Sequence, residues 1–128
     1  MWIFALQGFV SVVAVRGKST QLMVRGRARP DVAAWHHATG AKSTLIHTPR
    51  ADYPYRFCVT RKRFAAALQT MILTQVEYDN FKHAVGHSDP ARAGAYMGVW
   101  SEMRQFQDAI EARSISSSSS TRAPRAVR

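Results

Sequence analysis

Two short stretches set aromatic rings beside cations: Asp52-Tyr53-Pro54-Tyr55-Arg56 and Tyr78-Asp79-Asn80-Phe81-Lys82. Such rings stack on nucleobases while guanidinium and ammonium groups pair with phosphates, so the pattern suits a nucleic-acid surface. The same residue types also serve at the rim of a core, where tyrosine hydroxyls bond to carboxylates and backbone carbonyls. A third group, Arg25, Arg27 and Arg29, recurs at every second position, a spacing that places side chains on one face of a strand. Together these stretches nominate Arg25, Arg27, Arg29, Tyr53, Tyr55, Arg56 and Lys82 as nucleic-acid-binding residues.

Charge is spread unevenly along the 128 residues. Residues 1–63 hold eleven Lys and Arg against Asp31 and Asp52, a net of +9, whereas residues 64–111 hold three cations against six acids, a net of −3. Four further arginines between 112 and 128 complete the formal charge of +10. A basic half of this kind makes DNA, RNA or an acidic protein surface the first partners to consider.

Catalytic and metal chemistry find less support. Gly17-Lys18-Ser19-Thr20 mimics the end of a phosphate-binding loop, but the Gly required five residues earlier is Val12, and Lys42-Ser43-Thr44 lacks the Gly-Lys pair. These are read as turn residues. His83 and His87 stand at i and i+4, yet Gly86 weakens a helix there and no third ligand follows at a recognisable spacing; His36 and His37 point to different sides. Cys58 lies between Phe57 and Val59 and reads as an inert thiol in a strand. No catalytic residue, metal ligand or cofactor is therefore assigned, and a non-enzymatic role is the expectation. As the lone cysteine, Cys58 permits no intrachain disulfide, which points to a reducing cytoplasm. Met1-Trp2-Ile3-Phe4-Ala5-Leu6 is apolar, but no basic run precedes it, Gln7-Gly8 interrupts it and no membrane-length apolar run follows, so it reads as a buried first strand and no membrane partner is expected.

The elements that must position these residues follow from periodicity. Phe9–Val15 and Gln21–Arg27 read as strands joined through Arg16–Thr20, with Leu22 and Val24 on one face and Met23, Arg25 and Arg27 on the other. Pro30-Asp31 opens a short helix that Gly40 stops. Ser43–His47 and Tyr55–Val59 read as two more strands, with the Pro49- and Pro54-bearing connector as a loop. Thr60 caps a helix from about Arg61 to Leu73 whose apolar stripe is Phe64, Leu68, Met71 and Ile72. A short helix over 78–85 ends at Gly86, and Asp89-Pro90 opens a last helix carrying Tyr96, Val99, Trp100, Met103, Phe106 and Ile110 on one face. The Ser- and Arg-rich end cannot bury a core. The expected fold is α+β in the order β-β-α-β-β-α-α-α: an antiparallel sheet of about four strands with helices packed on one face, one domain over 1–112 and a disordered tail over 113–128.

Five stretches occur together in a further pattern: Met1-Trp2-Ile3-Phe4 with Gly8-Phe9-Val10-Ser11-Val12-Val13, Val24-Arg25-Gly26-Arg27-Ala28, Asp52-Tyr53-Pro54-Tyr55-Arg56, Glu77-Tyr78-Asp79-Asn80-Phe81-Lys82, and Arg92-Ala93-Gly94-Ala95-Tyr96 with Val99-Trp100. In order and spacing they resemble a family of small uncharacterised bacterial and phage proteins, over about residues 1–106. That family has no assigned activity, so the resemblance implies an intact domain and no catalytic residue.

Two functions are expected. The first is a small basic accessory protein that binds nucleic acid or another polyanionic surface through a basic sheet face. The alternative is a protein-interaction or regulatory module, phage or mobile-element encoded, that binds a host protein or forms a homo-oligomer through Trp2, Phe4 and the last helix.

Overall fold

The computed structural model describes residues 1–119, in which the elements run β1 (Trp2–Ala5), β2 (Gly8–Val15), β3 (Lys18–Gly26), α1 (Arg29–Thr39), β4 (Ile46–His47), β5 (Tyr55–Thr60), α2 (Arg61–Gln75), α3 (Phe81–Ser88) and α4 (Pro90–Ser119). The α+β class and the order of elements agree with the sequence, with five strands rather than about four because Trp2–Ala5 pairs with β2. All five form one antiparallel sheet in the order β1-β2-β3-β5-β4. Among the described residues, 1–84 make one compact unit and those from Val85 a second.

Register decides which side chains meet. Val12 pairs with Val24 and Val24 with Phe57, while Leu22 pairs with Val59, so one sheet face is a continuous apolar surface. Residues on α1 and α2 cover it: Val32, Trp35, Phe64 and Met71 join Val10, Val12, Val24, Phe57 and Val59 in a single core. Trp35 stacks on Phe64 with ring centroids 5.4 Å apart. The fully buried members, Val10, Val24, Val32, Trp35 and Phe57, contribute roughly 1.5–3 kcal/mol each relative to exposure.

The local joins follow from chemistry visible in the residues. Gly17 at φ +74° makes the tight β2–β3 turn, with a register shift between Ala14 and Val15, so the Gly17-Lys18-Ser19-Thr20 stretch is hairpin rather than phosphate loop. Pro30 lies in the first turn of α1, and Gly40 closes it in the left-handed region at φ +57°. The carboxylate of Asp31, buried at the start of α1, accepts the Phe9 amide at 2.9 Å. Gly8 must be glycine for this approach, since a Cβ there would stand 2.4 Å from the Asp31 carboxyl carbon.

Three expectations need correction in detail. The strand expected over 43–47 shrinks to Ile46–His47, because the Ser43 hydroxyl both donates to the Cys58 carbonyl and accepts the Cys58 amide, taking the place of a main-chain ladder. On α2, which Thr60 caps by accepting the Arg63 amide, Phe64, Leu68 and Met71 face the core, whereas Ile72 is 58% exposed. Ile72 lies about 80° around the helix from Phe64 and Met71 only about 20°. Gly86 does not end α3, which continues to Ser88.

α4 begins as the sequence implies. Asp89 accepts the Arg92 amide at 3.0 Å, and that hydrogen bond holds its carboxyl below the usual carboxylate range. The helix continues to Ser119, past the expected boundary at 112/113, and the remainder of the expected disordered tail, residues 120–128, lies outside the described residues.

The two faces of α2 give a direct check. Phe64→Ala should cost about 3–5 kcal/mol in urea unfolding, while Ile72→Ala should stay within about 0.5 kcal/mol. Comparable losses from both would contradict the orientation of α2.

Candidate nucleic-acid interface

The second face of the sheet is built by the alternate residues. Cross-strand partners share a face, so the pairs Trp2–Ser11, Ser11–Arg25, Arg25–Arg56 and Ile46–Arg56 align into one row across all five strands. Beside it run Val13, Met23 and Cys58, also paired strand to strand. Phe4 and Phe9 form a further pair on the same face, stacked at 4.7 Å.

Arg25 and Arg56, directly opposite each other, are the centre of this face. Like charges in opposed positions destabilise a sheet by a few tenths to about 1 kcal/mol. Each is held away by its own acceptor: Arg25 donates from Nε to Ser11 Oγ at 3.3 Å, and Arg56 donates from Nη2 to Thr48 Oγ1 at 2.5 Å. The β4–β5 connector then folds back over the Arg25 end. It turns through the Thr48 amide on the Pro54 carbonyl at 2.7 Å and delivers Tyr53, whose ring lies 4.7 Å from the Arg25 guanidinium and 5.0 Å from that of Arg27. Both distances suit cation–π attraction. Arg27, just beyond β3, also donates to the Asp52 carboxylate at 2.7 Å and to its carbonyl at 3.1 Å. The guanidinium groups of Arg25 and Arg27 thus share one tyrosine, a carboxylate holds Arg27 alone, and Arg25 and Arg56 form no ion pair among the described residues.

Four of the seven expected residues come together here: Arg25, Arg27, Tyr53 and Arg56. The other three do not join the row. β3 ends at Gly26, so Arg29 is carried off the strand alternation and opens α1. Tyr55 pairs with Gly26 and lies on the core-facing side, stacked on His47 at 4.5 Å, because it is one residue from Arg56 in a strand. Lys82 belongs to α3, outside the sheet pairings. Ser11 and Thr48, which orient the two central arginines, were missed; their small hydroxyls carry no signal until the register brings them opposite a guanidinium.

Other chemistry in the described residues is sparse. No three His, Cys, Asp or Glu side chains converge to hold a metal ion. His36 is occupied with the Ser43 carbonyl, its Nε2 2.7 Å away. A cleft of about 490 Å³ beside α1 and α2 presents His37, Thr39, Arg63 and Thr70 but no carboxylate or thiol. Among the described residues, no helix is long and apolar enough to cross a membrane.

Repulsion between the opposed arginines is measurable. In a double-mutant cycle of Arg25→Gln and Arg56→Gln, chosen to keep the aliphatic stems, the coupling should be unfavourable by a few tenths of a kcal/mol at low salt and should vanish near ~0.5 M salt. A favourable coupling would mean that the two groups do not face each other. Compared with family models, curated proteins and solved structures, the chain matches none, so the reading of this face rests on its own residues.

Proposed function

We propose that this chain is a small basic accessory protein, non-enzymatic, that binds nucleic acid or a similar polyanion through the face carrying Arg25, Tyr53 and Arg56. The observation that carries this reading is the Arg25–Arg56 pair, opposed at mid-sheet without a carboxylate partner. A bridging phosphate relieves their repulsion, and Tyr53 holds Arg25 and Arg27 in place beside it. Asp52 sets the limit of the patch, since it already neutralises Arg27.

Binding to random-sequence DNA and RNA at ~50 mM salt tests the proposal. Arg25→Gln with Arg56→Gln should weaken binding and lower the salt slope by up to about two, with stability changed by less than about 0.5 kcal/mol. Arg104→Glu on α4 alters net charge by the same amount and should have little effect. Equal losses from the pair and the control, or no binding by the unaltered chain, would refute the proposal.

A second reading, a protein-interaction module that dimerises, is favoured by α4. Tyr96, Val99, Met103, Phe106 and Ile110 follow a 3-4-3-4 spacing, the seam of a two-helix pairing, and Met103 and Phe106 are each 58% exposed. The resemblance to small bacterial and phage proteins accords with either reading. If α4 pairs with a second copy, sedimentation should show a concentration-dependent dimer that Phe106→Glu abolishes without altering polyanion binding. A monomer at all concentrations would remove this reading.

A further inference from the structure

The basic row does not end at Arg25. Its next members are Ser11 and then Trp2 on the edge strand β1, so an exposed indole stands on the same line across the sheet as the two central arginines. Adjacent strands lie about 4.8 Å apart, which puts the Trp2 backbone roughly 10 Å from that of Arg25 and roughly 15 Å from that of Arg56. Trp2 is 64% exposed, unusual for the largest apolar side chain, and its ring stands at 82° to Phe9 with centroids 5.9 Å apart. Phe9 in turn stacks on Phe4. The indole is thus braced from one side by an aromatic pair and left open to solvent.

Resting on the polyanion reading above, we propose that the ligand class is single-stranded nucleic acid, with an unpaired base stacked on Trp2 and the backbone phosphates on Arg25 and Arg56. Charge and ring chemistry are complementary along one line: guanidinium groups at one end for phosphate, an aromatic platform at the other for a base face. A duplex keeps its bases stacked on one another and cannot supply that face. A flexible inorganic polyanion can satisfy the arginines but gains nothing from the indole. Sequence preference is not built into such a surface, because every base has a face to stack.

The test compares a labelled oligothymidylate, a DNA duplex of the same length and inorganic polyphosphate, each at ~50 mM salt. The unaltered chain should hold the single strand more tightly than the duplex. Trp2→Ala should lower oligothymidylate affinity about tenfold, Trp2→Phe should restore most of it, and polyphosphate binding should be unchanged in both. The duplex comparison needs no substitution and stands even if Trp2→Ala disturbs β1. Binding of all three ligands without preference for the single strand, or equal effects of Trp2→Ala on oligothymidylate and polyphosphate, overturns the stacking role while leaving the polyanion reading in place. Failure to bind any of the three overturns both.

Discussion

The antiparallel pairing of β3 with β5 is the constraint on which the rest of the molecule depends. Its register runs from Gln21 opposite Thr60 to Gly26 opposite Tyr55, and alternate residues of this one ladder supply both the core and the basic face. Val24 and Phe57 point to α1 and α2; their immediate neighbours Arg25 and Arg56 point the other way. A slip of one residue would bury guanidinium groups among valines, so the apolar packing that fixes the register also fixes the opposition of the arginines.

This coupling explains why a repulsive pair can persist at mid-sheet. The cost of opposing two cations is at most about 1 kcal/mol, whereas each fully buried side chain of the core returns more than that. The hydroxyls of Ser11 and Thr48 and the ring of Tyr53 divide the two cations between separate partners. Of Arg25, Arg27 and Arg56, Arg27 alone is paired with an acid among the described residues, through an exposed ion pair of the kind that contributes little to stability. Arg25 and Arg56 are therefore held by neighbours that leave their positive charge unneutralised.

The two ends of the chain treat apolar surface differently. Within residues 1–84, aromatic and branched side chains close over one sheet face, and Gly8 and Asp31 dock the start of α1 against the β1–β2 turn. On α4, which begins at the Asp89 cap, Met103, Phe106 and Ile110 remain exposed. Exposed apolar stripes of this regularity mark surfaces that meet another chain more often than chance placement does.

Much of this was legible from residue types alone. Alternation alone separates Leu22 and Val24 from Arg25, and Pro30, Gly40, Thr60 and Asp89 mark helix ends, because those signals act within a few residues through fixed φ, left-handed backbone or side-chain caps. The charge imbalance that suggested a polyanion partner is likewise a property of composition. What only the tertiary structure decided are the contacts between segments distant in sequence: Arg25 opposite Arg56, Tyr53 over Arg25 and Arg27, Ser43 replacing a strand beside Cys58, and Trp2 in line with both arginines. Tyr55 and Arg29 were drawn into the site by proximity in sequence and excluded from it by strand parity and by the end of β3 at Gly26. Local propensity acts over a turn of helix or a pair of strand residues, whereas register is set by the collective burial of Val12, Val24, Phe57 and Trp35, which no short stretch contains.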